Sequence, residues 1–129
     1  MNPATALDLG RIAIGTVSLV SPDLAAKMLL LDGAANPQLR FMTRLFASRE
    51  IALGGLTLAS SGAARRRLVK IGIAIDGADA FTGVAASASG AVPKKTGLMM
   101  AGVAVGAVVT GVVALQDSPV ALVTRGSRH

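Results

Sequence analysis

Seven ionisable side chains stand inside long apolar runs of this chain: Asp8 and Arg11, then Arg44, Arg49 and Glu50, then Asp76 and Asp79. A charge at the centre of a bilayer costs at least ~2.5–3.5 kcal/mol on insertion scales, so intramembrane charges are paired or reached by water. Three of the seven are cationic and four anionic, which permits near-complete pairing. Two kinds of chemistry follow. Bidentate arginine–carboxylate bonds can fix the register of neighbouring helices. Alternatively, the extra carboxylate can belong to a polar cavity that admits water, a proton or a small polar ligand. Paired carboxylates also serve acid–base catalysis, but nothing accompanies them here. The chain has no Cys, and its one His is the last residue, His129. Thiolate chemistry and paired-His metal sites are therefore excluded, and no metal is expected. No G-x-G-x-x-G with an acidic ribose partner and no P-loop lysine occurs. No cofactor and no catalysis of its own are expected.

The elements that must position these groups are membrane helices. Of 129 residues, 52% are hydrophobic and 16% charged, against roughly 25% charged in a soluble domain. Four apolar runs stand out, from Pro3 to Val20, Pro37 to Ser60, Leu68 to Ser89 and Gly97 to Leu115. Each suits a bilayer core, which takes about 20 helical residues. Strands are excluded by run length, by the absence of alternation and by the open edges they would leave in lipid. The expected fold is all-α: a four-transmembrane-helix bundle over residues 1–115, with a tail over 116–129. Ser21-Pro22-Asp23 closes the first span and opens a short helix through "LAAKMLLL", expected at the membrane surface. Asn36-Pro37 reads as the start of the second span. The stretch "SGAARRRLVK" reads as the loop between the second and third spans, and "AVPKKTG" as the connection to the fourth. A secretory signal peptide would need a basic segment before its apolar core. Residues 1–10 hold no Lys or Arg, so the first run is expected to stay as a helix.

Helical spacing gives the charges faces. Asp8, Arg11, Gly15 and Ser18 form one stripe of polar and small residues, and Gly72, Asp76, Asp79, Gly83 and Ser87 form another. Glu50 shares a face with Thr43, Ala47, Gly54 and Thr57, while Arg49 lies about 100° round the helix and must swing inward. At 1.5 Å per residue, Arg11 and Asp76 both lie roughly 10 Å below the cytoplasmic surface, and Arg49, Glu50 and Asp79 roughly 15–18 Å. The expected buried cluster is therefore Arg11, Arg49, Glu50, Asp76 and Asp79. Arg11 should meet Asp76, and Arg49 should meet Asp79 or Glu50. Asp8 and Arg44 should snorkel to opposite surfaces. In the fourth run, Gly102, Gly106 and Thr110 repeat every fourth residue and predict a close-packing face, used within the bundle before dimerisation.

Thirteen Lys and Arg against seven Asp and Glu give a net charge of +6. Trp and Tyr are absent and Phe is three, so there is no aromatic platform for bases and no nucleic-acid partner is expected. The basic residues instead report topology. Arg65, Arg66, Arg67 and Lys70, together with Arg125 and Arg128, outweigh Lys27, Arg40, Lys94 and Lys95 on the other side, which predicts both termini in the cytoplasm. The dense Arg65–Lys70 cluster can also attract anionic headgroups at about 1 kcal/mol per charge, so membrane lipids are expected partners.

The segments "LDLGRIAIG", "SPDLAAKMLLLDGAANPQLRFMTRLFASREIALG" and "IAIDGADA", with their Gly10-Arg11 and Arg49-Glu50 pairs, resemble small four-helix bacterial membrane proteins of unknown function, of actinobacterial type, at the edge of the DoxX-like group. The resemblance runs from about Leu7 to Leu115. It implies a four-helix bundle in a plasma membrane and no established activity; the DoxX-like proteins proper are tied only loosely to membrane redox complexes. This chain lacks the Cys and internal His that would carry a redox role of its own. The expected function is that of an accessory or assembly component, associating with other membrane subunits or with itself. The alternative is a small transporter or ligand-binding membrane protein that uses the charged cluster.

Overall fold

The computed structural model describes residues 2–116. Those residues form five helices and no strand: α1 (Pro3–Val20), α2 (Pro22–Met28), α3 (Leu39–Ala59), α4 (Gly62–Ser89) and α5 (Lys94–Gln116). Helix α1 starts where Asn2 Oδ1 accepts from Ala4 N at 2.8 Å, with Pro3 in the first turn, where its missing N–H costs nothing. Helix α2 follows at once and ends at Met28, and the chain then turns through Leu30, whose φ of 59° lies in the left-handed region. The tail expected over 116–129 lies outside the described residues but for Gln116.

Three local expectations need correction. Ser21 and Asn36 do not cap α2 and α3 with their side chains: Ser21 makes no side-chain cap bond. The Asn36 amide donates back to the Asp32 carbonyl, a local bond that competes with capping. The "SGAARRRLVK" stretch is not a loop. It is helical from Gly62, because Ala63, Ala64 and the arginines are strong helix formers, so Arg65, Arg66, Arg67 and Lys70 stand on the first turns of the 28-residue α4.

The long helices pair as two antiparallel hairpins. In the first, α1 lies against α3 with backbones in contact. A Cβ on Gly15 would sit 2.9 Å from the Ala47 carbonyl oxygen, and one on Gly54 would sit 2.7 Å from that of Asp8. In the second, α4 lies against α5 equally closely: a Cβ on Gly83 would come within 2.8 Å of the Gly97 carbonyl oxygen. Small residues on facing stripes permit this approach. The up-down order puts the start of α1, the α3–α4 connection and the end of α5 at one end of the bundle. There Arg66 Nη1 donates to the Leu115 carbonyl at 2.9 Å, one of the helix-end acceptors that α5 cannot satisfy itself. At the other end the fully buried Thr96 hydroxyl donates to the Leu29 carbonyl at 2.6 Å, joining α5 to the end of α2.

The interior is inverted relative to a water-soluble bundle. Asp8, Arg11, Glu50 and Asp76 are each 4–6% exposed, and the apolar residues beside them are mostly alanine. The large hydrophobic side chains point outward, with Val20 and Phe81 about three-quarters exposed. By length and composition two helices, α1 and α5, are apolar enough to cross a membrane.

Candidate functional site

The charged stripes meet between the two hairpins. On α1, the buried residues Asp8, Arg11, Gly15 and Ser18 recur at helical spacing. On α3, Ala47, Glu50, Gly54 and Thr57 face inward, with Thr43 half-buried. On α4, Gly72, Asp76, Gly83 and Ser87 are buried and Asp79 half-buried. Gly72 leaves room for Arg11: a Cβ there would lie 3.4 Å from Arg11 Nη2.

Arg11 is the hub. Its Nη1 donates to Asp76 Oδ1 at 3.0 Å and to Glu50 Oε2 at 3.1 Å, and its Nη2 donates to Asp76 Oδ2. The bidentate fork uses the planarity of guanidinium, which a lysine could not reproduce. Arg49 makes a second fork, donating to Asp79 Oδ2 at 2.6 Å and Oδ1 at 3.3 Å, with Glu50 Oε1 3.5 Å from its Nη2. Its guanidinium also stands 5.1 Å from the centroid of the Phe46 ring, a cation–π arrangement. Glu50 thus sits between the two arginines and links the layers. Arg11 with Asp76, and Arg49 with Asp79, are the pairings that the spacing predicts.

Asp8 departs from expectation. It does not snorkel but lies buried, 4% exposed, because it is one helical turn from Arg11 on the same inward stripe. Its Oδ2 is 4.0 Å from Arg65 Nη2. Among the described residues neither atom has a hydrogen-bond partner, and Arg49 Nε is the only other buried side-chain atom in that state. Sequence reasoning missed the Asp8–Arg65 approach because it treated Arg65 as part of a loop. It also missed Arg66 on the Leu115 carbonyl and the exposed Arg40–Asp23 fork at 2.8 and 2.9 Å. Arg44 lies on an exposed face, its Nε 3.4 Å from the Leu19 carbonyl.

Three of the inward ion pairs, Arg11–Asp76, Arg49–Asp79 and Asp8–Arg65, cross between the hairpins to α4, while Arg11–Glu50 joins α1 to α3 within the first hairpin. Apart from Arg11–Glu50, the contact within each hairpin is backbone against small side chain, while the polar contacts between hairpins are mainly charge against charge. A cavity of about 20 Å³ opens beside the network, lined by Asp8, Arg11 and Asp76 among apolar residues of all four long helices. It has room for about one water molecule.

The expected packing face of the fourth span is also corrected. Helix α5 meets α4 through Gly97, Ala101, Ala104 and Gly111. Gly102 and Gly106 face outward, with nothing within 4 Å of a Cβ placed on either, and Thr110 is half-buried. The two stripes occupy different faces of the helix, and the Gly97–Gly111 face is the one that Gly83 and Ile73 of α4 fill. Among the described residues no group of His, Cys, Asp and Glu could hold a metal ion. Comparison with known families, curated proteins and solved structures finds no match to this chain.

Proposed function

We propose that this chain is a four-span bundle of a bacterial plasma membrane that works by association, as an accessory or assembly component of a membrane complex. The observation that carries the association reading is the outward Gly102-x-x-x-Gly106 face on α5, left uncovered among exposed Val103, Val105 and Val109. Glycines spaced by four let a second helix approach closely in lipid, and among the described residues no helix of the bundle takes that place. The inverted interior supports lipid as the solvent and is an argument for α3 and α4 lying in the membrane beside α1 and α5. The charges that make α3 and α4 polar by composition are turned inward or toward the ends. Their outer faces carry Phe41, Leu45, Leu56, Ile71 and Phe81. The same proposal puts both termini in the cytoplasm, on the strength of the Arg65, Arg66, Arg67 and Lys70 cluster.

A solute-carrying role has less support. The arginine–carboxylate forks fill the centre of the bundle, and the cavity beside them, about 20 Å³, has room for about one water. The discriminating experiment is in-membrane cross-linking from Gly106→Cys in the otherwise Cys-free chain, with gentle-detergent mass spectrometry of the native protein. A stoichiometric adduct, lost when Gly102→Leu is added while the monomer keeps its helicity, is the expected result. A lone monomer that carries a solute when reconstituted by itself overturns the proposal.

A further inference from the structure

We propose that Asp8 is a reversible proton-binding site, served by a single water in the cavity between the hairpins. The charge count leaves one carboxylate in excess. Asp8, Glu50, Asp76 and Asp79 face Arg11, Arg49 and Arg65, four carboxylates against three guanidiniums. Asp76 holds a bidentate fork, Asp79 holds another, and Glu50 accepts from Arg11. Asp8 is the member left over. Its Oδ2 is buried with no hydrogen-bond donor among the described residues, and a desolvated carboxylate oxygen without a donor is a costly arrangement.

The surroundings favour a proton over a metal cation. The groups facing Asp8 are Arg11 on its own helix, Arg65 and Asp76 on α4, and Glu50 on α3 beyond Arg11. The cavity-lining residues of α5 are Ala107, Gly111 and Ala114, which carry no charge. A metal ion beside Asp8 would lie between two guanidiniums, whereas a proton joins the carboxylate itself: Asp8–COO⁻ and H⁺ give Asp8–COOH, with bulk water as source and sink. The 4.0 Å gap between Asp8 Oδ2 and Arg65 Nη2 is too long for a direct hydrogen bond and suits one bridging water. The cavity of about 20 Å³ that Asp8 lines meets the space a water needs. Arg65, with a third of its side chain exposed, connects that water to the end of the bundle. The site stands on this geometry alone, whether or not α5 has a partner.

Infrared difference spectroscopy of the full chain in a lipid film, stepped in pH, tests the assignment. The expected result is a protonated-carboxyl component, apart from those of the other acids, that rises as pH falls, shifts in D2O, and disappears in Asp8→Asn. Arg65→Gln should keep the fold and move the transition up by about one pH unit or more, since a cation within ~4–6 Å favours the ionised carboxylate. A band that persists in Asp8→Asn but vanishes in Asp76→Asn or Asp79→Asn overturns the proposal. So does the absence of any pH-dependent band beyond those of Asp23, Asp32 and Asp117, identified by their Asn variants, and of the terminal carboxyl. If Asp8→Asn does not fold, the Arg65→Gln shift decides: an unmoved transition counts against the site.

Discussion

At the scale of single residues, the same bond has different worth in different surroundings. Arg11–Asp76 and Arg40–Asp23 are both bidentate forks, but the first has side chains 7% and 5% exposed and the second 61% and 55%. Removing one partner of a buried pair strands the other and costs about 3–5 kcal/mol. An exposed pair contributes about 0–1 kcal/mol. Asp76→Ala should therefore lower stability in detergent by several kcal/mol, read by circular dichroism through a denaturing-detergent titration. Asp23→Ala should change it by less than about 1 kcal/mol. Equal losses for the two would refute the burial argument. Arg11→Lys should also be damaging, since an ammonium cannot fork to Asp76 and reach Glu50 in the same plane.

Glycines decide matters at the scale of the helix, and their effects should differ in sign. Gly54→Ala places a methyl 2.7 Å from the Asp8 carbonyl oxygen, a backbone atom that cannot step aside without parting α1 from α3. Gly111→Ala meets Ile73 Cγ1 at a similar 2.7 Å, but a side chain can re-pack. Gly55→Ala meets nothing within 4 Å and gains the helix preference of alanine, about 0.5–1 kcal/mol. The expected order of unfolding midpoints is Gly55→Ala above the native chain, then Gly111→Ala, then Gly54→Ala, with the last lower by about 1–3 kcal/mol. Helix α4 shows the opposite tension. Arg65, Arg66 and Arg67 lie at its N-terminal end with no acid in the first turn, against the helix dipole. Their reasons lie elsewhere: Arg65 faces Asp8, and Arg66 holds the last turn of α5.

At the scale of the molecule, the two hairpins are separately packed by small residues and stitched together by charge. The stitching runs from the Asp8–Arg65 end through the forks to Thr96 on the Leu29 carbonyl at the far end. Thr96→Val should weaken that far closure by about 1 kcal/mol, the net worth of one hydrogen bond, without changing helicity. The proposed topology makes a sharper prediction. The chain has no Cys, so single-Cys variants report cleanly. Ser61→Cys, at the α3–α4 connection, should resist an impermeant thiol reagent added outside intact cells and react once the cells are opened. Gly33→Cys, between α2 and α3, should react from outside. The reverse pattern refutes cytoplasmic termini.

Much of this architecture was legible in the residues. The run from Pro3 to Val20 became α1 to the residue, and the inward stripes of three helices came from periodicity alone. The forks Arg11–Asp76 and Arg49–Asp79 could be matched by depth, because helical rise turns sequence separation into distance. What the sequence could not say was which faces meet. A helix carries several small-residue stripes, and only the packing against α4 selected Gly97, Ala101, Ala104 and Gly111 over Gly102 and Gly106. Asp8 read as a surface group because its distance from the chain start is short. It is buried because α4 begins early enough, at Gly62, to bring Arg65 alongside. Periodicity fixes directions within one helix, but the angle and offset between two helices depend on side chains far apart in sequence, and only the assembled bundle decides them.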